Sequence, residues 1–120
     1  MFDDDMDDAD AGHGLPRLFA ALANSDRIAI INTLRDHARQ HPEGLAISRV
    51  AQEAGLTRFS ASRHLRVLCE AGLVTVTKRR RALLHKIDAR GFEAGEDWLY
   101  DVSATVPWHR DAGAALDLPA

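Results

Sequence analysis

The strongest constraint on this chain is a change of periodicity inside residues 56–88. From residue 57, apolar side chains recur every three or four positions, as in Ala61, Leu65 and Leu68, and this spacing predicts a helix with one buried face. After Gly72, apolar and β-branched residues alternate in two short runs, which predicts the two strands of a hairpin. The chain therefore requires a fold in which a helix leads directly into a β-hairpin.

The predicted helix has a basic, polar outer face opposite its apolar stripe. Thr57 is expected to cap its first turn, and Gly72 to follow its last residues as a C-terminal stop. In a major groove about 12 Å wide, Arg bonds to guanine edges and Ser bonds to phosphates or bases. The DNA-binding residues predicted in this segment are Thr57, Arg58, Phe59, Ser60, Ser62, Arg63, His64 and Arg66.

A run of four cations separates the two predicted strands and forms the predicted tip of the hairpin. Between Gly55 and Arg90 nine Lys or Arg face two acidic residues, an excess of seven positive charges, although the whole chain has a net charge of −3. A cationic run by itself is usually a solvated loop, but this run follows a helix whose outer face is also basic. The run is therefore predicted to bind DNA through Lys78, Arg79, Arg80 and Arg81.

Two segments of the sequence resemble the ArsR family of winged-helix transcription regulators. Ser62–Val74 is similar to the family signature S-x-H-L-x-x-L-x-x-A-G-L-V, and Phe19–Ile31 is similar to the family motif A-L-A-x-x-x-R-x-x-I-L. Together, the two matches and the spacing between them extend the resemblance over roughly residues 16–103. The resemblance implies a mainly α fold with a small β-hairpin wing, in which the second helix of a helix-turn-helix reads the major groove.

Phe59 departs from the small polar residue that the family usually has at this place. Two interpretations of its ring remain open, because it could touch a thymine methyl group or pack under the helix. Arg58, Ser62 and Arg63 are the residues expected to make the base contacts and nearby phosphate contacts of this helix.

The chain is predicted to contain one folded domain between two unstructured ends. Residues 1–14 include six Asp and have no apolar period, so they are predicted to be a disordered acidic arm. The arm is interpreted as a solubilising tail, with contact to the basic wing or metal binding through His13 as alternatives. Residues 15–106 are predicted to form the winged-helix DNA-binding and dimerisation domain, and residues 107–120 a flexible tail.

Composition and motifs exclude several other classes of protein. The 120 residues include one cysteine, which rules out an intramolecular disulfide framework. No apolar run approaches the roughly 20 residues needed to span a bilayer, and the first residues are acidic where a signal peptide is basic, so a cytoplasmic location is expected. No Ser/His/Asp grouping, Gly-rich phosphate loop or paired-carboxylate cleft is visible, so the chain is not expected to be an enzyme.

The helix-turn-helix is predicted to have neighbours on both sides. Apolar residues three or four apart indicate helices before and after it, and a short apolar run indicates a strand that pairs with the hairpin. The expected elements are a helix over residues 15–22, a helix from Asn24 or Ser25 to about Gln40, a strand over residues 45–47, a helix capped by Ser48 and a last helix from Ala89 to about Thr105.

The first and last predicted helices both carry apolar stripes. One domain of this size does not obviously have enough core to cover both stripes. In ArsR-like proteins these two helices pack across a two-fold axis, whereas the alternative is that the stripe packs within one monomer. The resemblance therefore implies a homodimer. The interface residues that it implies are Leu15, Leu18, Phe19, Leu22, Phe92, Trp98, Leu99 and Val102.

Metal binding is a weaker hypothesis, because the family's usual ligands are missing. The family site with cysteines on the first helix of the helix-turn-helix is absent, since residues 47–52 contain no thiol. A second family site uses Asp and His on the last helix, which carries carboxylates but no His before residue 109. Tight Zn²⁺ or Ni²⁺ sites need imidazole or thiolate ligands. A nonstandard site remains open, with His13, Asp97, Asp101 and His109 as candidate ligands.

Together these patterns predict a sequence-specific DNA-binding transcriptional regulator. The resemblance to the ArsR family implies that it is a repressor that binds a palindromic operator as a homodimer and is open to modulation by an effector. Two alternatives remain: a protein-interaction module on a winged-helix scaffold, and a regulator that responds to Zn²⁺ or Ni²⁺ through a nonstandard site. Cys69 is interpreted as a small buried hydrophobe, with a redox switch as the alternative.

Overall fold

The computed structural model describes residues 14–106, and over this range the chain folds into helices packed around a small antiparallel sheet. This arrangement confirms the predicted fold class, mainly α with a β-hairpin wing and a helix-turn-helix. The predicted acidic arm, apart from its last residue, and the predicted tail lie outside the described residues. The elements in chain order are α1 (Leu15–Leu22), α2 (Ser25–Asp36), β1 (Leu45–Ala46), α3 (Ile47–Ala54), α4 (Arg58–Glu70), β2 (Val74–Arg79), β3 (Ala82–Ile87), a 3₁₀ helix (Ala89–Phe92) and α5 (Glu93–Ala104).

The sheet has the strand order β1-β3-β2, with antiparallel pairing on both sides of β3. β2 and β3 form the predicted hairpin, and the pairing of Arg79 with Ala82 leaves a turn of two residues between them. β1 pairs with the other edge of β3, where Leu45 lies opposite His85. The strand predicted before the helix-turn-helix therefore exists, although it ends one residue earlier than expected.

Side chains cap two of the helices as predicted. The Asn24 side chain accepts a hydrogen bond from the backbone N–H of Arg27 at 3.0 Å, and the Thr57 hydroxyl accepts one from the N–H of Ser60 at 3.0 Å. Such a cap stabilises a helix by about 1 kcal/mol. The cap expected from Ser48 is wrong, because β1 runs directly into α3 and the helix begins one residue before it.

α2 ends earlier than the sequence predicted. The predicted end was near Gln40, whereas the helix ends at Asp36 and residues 37–40 form turns. The His37 ring donates a hydrogen bond from Nδ1 to the carbonyl oxygen of Thr33 at 2.9 Å. A His side chain near a helix C-terminus satisfies one of the last carbonyls in this way, so the helix does not need a further turn.

The core lies between α1, α2, α3, α4, β1 and the start of β2. Ile30, Leu68 and Leu73 are fully buried there, and Ala61 and Leu65 complete the predicted inner stripe of α4. Complete burial of a side chain such as Leu contributes on the order of 1.5–3 kcal/mol. α4 is therefore held against the rest of the molecule along its inner face, and its opposite face is left to solvent.

α5 rests on α1 through a glycine. Gly95 is the buried residue of α5, and a β-carbon added to it would clash with Cδ2 of Leu18. The absence of a side chain at Gly95 therefore lets the first turns of α5 approach α1 closely. The later residues of α5 are half-buried or exposed. The helix is thus packed against the core mainly near its N-terminal end.

Candidate nucleic-acid interface

α3 and α4 form a helix-turn-helix whose turn spans three residues. Gly55 ends α3 in a left-handed conformation with a φ of 73°, which glycine adopts without steric cost. The N–H of Leu56 then donates to the carbonyl oxygen of Ala51 at 2.9 Å and closes the end of the helix. Thr57 follows in an extended conformation and starts α4. The turn therefore sets the direction of α4 relative to α3.

The outer face of α4 combines cations, a hydroxyl and one aromatic ring. The Phe59 side chain is 73% exposed, so its ring does not pack under the helix. The guanidinium carbon of Arg63 lies 5.7 Å from the centre of this ring. Of the other predicted residues, Ser60 is half-buried and Thr57 uses its hydroxyl in the helix cap. The exposed residues of the face are Arg58, Phe59, Ser62, Arg63 and Arg66.

His64 points away from this face, into the space between α2 and α4. Its Nε2 lies 3.5 Å from Oδ2 of Asp26, and Arg27 donates to its Nδ1 at 3.3 Å. Its side chain is 12% exposed. The DNA contact predicted for His64 needs correction, because both ring nitrogens face α2 and the ring is covered by it.

Arg27 connects three helices through one guanidinium. Its Nε donates to the carbonyl oxygen of Ala21 at 2.6 Å, and a terminal nitrogen donates to that of Ala20 at 3.4 Å, both in the last turn of α1. The other terminal nitrogen donates to His64 of α4. Arg27 and His64 are the basic residues of the two family motifs, yet sequence reasoning did not pair them. The presence of both residues in the family motifs was the signal that could have indicated their contact, and the structure shows that contact as a hydrogen bond.

The four cations of the wing lie at its exposed end. The turn is shorter than predicted, because Lys78 and Arg79 belong to β2 and Arg80 and Arg81 form the turn itself. All four residues are exposed. Arg80 has a φ of 57°, a left-handed conformation that costs a non-glycine residue about 1–2 kcal/mol. The wing therefore presents a cation at a position where glycine would be less strained.

α5 exposes an apolar surface. Trp98, Leu99 and Val102 are 44%, 52% and 47% exposed, and the neighbouring Tyr100 is 71% exposed. The Phe19 ring of α1 meets Trp98 edge-on, with the ring centroids 5.7 Å apart. These five residues are called the α5 surface below. Exposed apolar residues grouped on one helix are typical of a surface that binds another protein.

Four other residues predicted for the dimer interface pack within the chain. Leu18 is 5% exposed and lies in the core against Gly95, so the prediction that it faces a second copy needs correction. Leu15, Leu22 and Phe92 are half-buried against the same core. The apolar pattern of α1 could not separate these residues from Phe19, because α1 has apolar residues on more than one side.

The candidate metal ligands do not come together within residues 14–106. In this range no group of three His, Cys, Asp or Glu side chains is placed to hold a metal ion. Asp97 and Asp101 are exposed on α5. His13 and His109 lie outside the described residues, so the Zn²⁺ or Ni²⁺ site stays a prediction.

Cys69 lies half-buried near the end of α4. Burial raises the pKa of the Cys69 thiol, and the carboxylate of Glu70 raises it further. A thiol with a raised pKa carries little thiolate, which is the reactive form. This environment supports the packing role of Cys69 over the redox switch.

Comparison with known proteins links this geometry to a family. A family model described as a helix-turn-helix domain matches residues 22–77. A solved structure described as a possible transcriptional regulator for arsenical resistance is 26% identical and covers 81% of this chain and 94% of its own, with a TM-score of 0.60. Together the family model and the solved structures support an ArsR-family winged helix-turn-helix regulator. An ArsR-family transcriptional regulator that is 24% identical has the same fold, covering 73% of this chain and 84% of its own with a TM-score of 0.60.

A further structure is the homodimeric winged helix-turn-helix DNA-binding domain of a possible ArsR-family regulator from Mycobacterium bovis. It is 26% identical to this chain and covers 81% of it and 82% of its own length, with a TM-score of 0.54. Comparison with curated protein sequences gives no match. Within residues 14–106 the chain has no helix long and apolar enough to cross a membrane. The family model and the structural matches support a DNA-binding transcriptional regulator.

Proposed function

We propose that this ArsR-family regulator is a repressor that binds a palindromic operator as a homodimer. The observation that carries the proposal is the presence of two exposed surfaces of opposite chemistry on one chain. The outer face of α4 and the wing are cationic, whereas the α5 surface is apolar. The first suits the phosphates and base edges of DNA, and the second suits another protein chain.

The α5 surface is the proposed contact between the two copies. When it is removed from water, each Å² of apolar area contributes about 25 cal/mol. A closed two-fold interface places the same patch of both chains in contact, so an apolar patch can serve as its own partner. The homodimeric domain from Mycobacterium bovis supports this assembly for a chain of the same fold.

A two-fold dimer presents two copies of α4, so its operator should contain two symmetric half-sites. In helix-turn-helix dimers these half-sites lie about 34–36 Å apart, which is one helical turn of DNA. Arg58, Ser62 and Arg63 are proposed to contact bases and nearby phosphates in each half-site. The wing cations are proposed to bind flanking phosphates and to supply the salt-dependent share of the affinity.

Repression is the proposed regulatory sense because it is the usual one in the family that the sequence resembles. Release of DNA by an effector is part of the same proposal. A divalent Zn²⁺ or Ni²⁺ ion is the effector to test first, since the sequence offers His13, Asp97, Asp101 and His109 as candidate ligands.

The test is fluorescence anisotropy of the full chain on DNA from its own upstream region and on a scrambled duplex, at about 50 and 200 mM salt. Tighter binding to the upstream duplex, two chains per operator and a steep loss of affinity with salt are expected. Equal affinity for both duplexes at both salt concentrations would overturn the proposal. Repeating the titration with a chelator and then with Zn²⁺ or Ni²⁺ shows whether metal releases the DNA.

A further inference from the structure

Phe59 is a large apolar side chain on a face that otherwise carries cations and a hydroxyl. At 73% exposure it is the most exposed large apolar residue within residues 14–106. An aromatic ring left in water forgoes the free energy that its burial would contribute. Core packing does not account for Phe59, so a contact made on binding is the better explanation of its placement.

Phe59 is already paired with a group that can read DNA. Arg63 lies four residues later on the same side of α4, and its guanidinium carbon is 5.7 Å from the ring centre, within the range of a cation–π contact. The ring therefore restricts the orientations of the guanidinium. Phe59 is also the second residue of α4, and the N-terminal residues of a recognition helix are those that reach base edges.

The two side chains match two neighbouring features of a DNA major groove. Thymine presents a 5-methyl group, which packs against apolar side chains such as Phe, and guanine presents O6 and N7, to which one guanidinium can donate two hydrogen bonds. Successive base pairs are about 3.4 Å apart. Features of adjacent base pairs therefore fall within reach of a ring and a guanidinium that are 5.7 Å apart.

We propose that Phe59 and Arg63 together read a thymine and a guanine in adjacent base pairs. Phe59 contacts the thymine 5-methyl group, and Arg63 donates to O6 and N7 of the guanine. This inference rests on the proposed function. The inference adds a chemical requirement to the proposed function, because the DNA site must carry a thymine methyl group, which uracil lacks.

The test begins with the selection of binding sites by the full chain from a random double-stranded DNA library, so that no operator needs to be known. The selected duplex is then made with uracil in place of each thymine in turn. Binding is measured for the unchanged protein, for Phe59→Ala and for Ile28→Ala. Ile28 is a matched control, because it is an exposed apolar residue on α2 and lies outside the α4 face.

At one thymine of each half-site, uracil should weaken binding of the unchanged protein roughly three- to five-fold, as expected for the loss of one buried methyl group. Phe59→Ala should bind the thymine and uracil duplexes equally, and Ile28→Ala should keep the difference. Circular dichroism verifies that each variant is folded. Tolerance of uracil at every thymine, or a difference retained by Phe59→Ala, would overturn the inference. A library that yields no enriched sequence would instead overturn the proposed function itself.

Discussion

α4 and α5 expose opposite chemistry, and they differ as much in how firmly they are held. α4 buries Ala61, Leu65 and Leu68 along its inner face and presents cations outward. α5 buries Gly95 near its start and presents Trp98 and its apolar neighbours outward. A helix anchored along its length holds its outer face in position before a partner arrives, whereas a helix anchored near one end obtains part of its packing from the partner.

The largest effect should come from removing the anchor of α4. Leu68→Ala deletes a fully buried side chain, and the lost burial plus the cavity should lower the free energy of unfolding by about 2–5 kcal/mol. Ser62→Ala on the outer face should change it by less than about 0.5 kcal/mol. Urea denaturation at one fixed protein concentration measures both. Similar losses in the two variants would contradict the anchoring described for α4.

The α5 surface should respond in assembly rather than in folding. Leu99→Glu places a carboxylate in the proposed interface and should convert the dimer to a monomer in sedimentation equilibrium. Affinity for the operator should then fall about 100-fold, because the two half-sites are no longer bound by linked subunits. Glu96→Gln, exposed on the same helix, is the control and should stay dimeric. A dimeric Leu99→Glu protein would place the interface on another surface.

Arg63 and Arg80 should separate base reading from phosphate binding. Arg63→Ala should cost about 1–3 kcal/mol on the selected site and relax its sequence preference, because a contact to guanine is lost. Arg80→Ala should weaken all sequences alike and reduce the slope of log affinity against log salt by about one. Titrations of specific and random duplexes at several salt concentrations measure both effects. If Arg63→Ala loses the same affinity on both duplexes, or Arg80→Ala leaves the salt slope unchanged, these roles are wrong.

The smallest effect concerns His85, which joins β1 to the wing. Its buried ring donates from Nδ1 to the carbonyl oxygen of Leu45 at 3.1 Å. Burial lowers the pKa of His85 below its ordinary value of 6.5, and the hydrogen bond to Leu45 opposes this in part. On acidification the unfolded chain therefore binds a proton before the folded chain does. The contribution to stability is complete above pH 6.5 and declines as the pH falls toward the lowered pKa.

Urea denaturation at about pH 7.5 and about pH 5.5 measures this effect. The stability lost between the two values should be smaller in His85→Gln than in the unchanged protein. If His85→Gln loses as much stability as the unchanged protein, proton uptake by His85 is not the cause.

The sequence was sufficient where a structure depends on neighbours along the chain. The Thr57 and Asn24 caps need only a side-chain oxygen and a backbone N–H three residues later, and Gly72 ends α4 because it adopts a φ of 80° that other residues rarely adopt. The change of period also located the hairpin to within about two residues. The cap predicted from Ser48 is the exception, because the helix begins at Ile47, directly after the strand, and Ser48 already lies inside it.

The sequence was insufficient where two distant elements decide the surroundings of a residue. Helical spacing places His64 beside the polar face, and only the position of α2, with Asp26 and Arg27, shows that the ring is covered. Helical spacing likewise places Leu18 in an interface stripe. Only the close approach of α5 to α1 at Gly95 shows that Leu18 is buried. The base contacts of α4 stay a prediction, because they also depend on the DNA.

A single guanidinium links the helix that carries the exposed cationic face to the helix that carries part of the apolar α5 surface. Arg27 holds the last carbonyls of α1, the helix whose Phe19 meets Trp98, and the same group holds His64 in α4. Arg27 therefore provides a direct path of two hydrogen bonds from the end of α1 to α4, with no flexible segment between them.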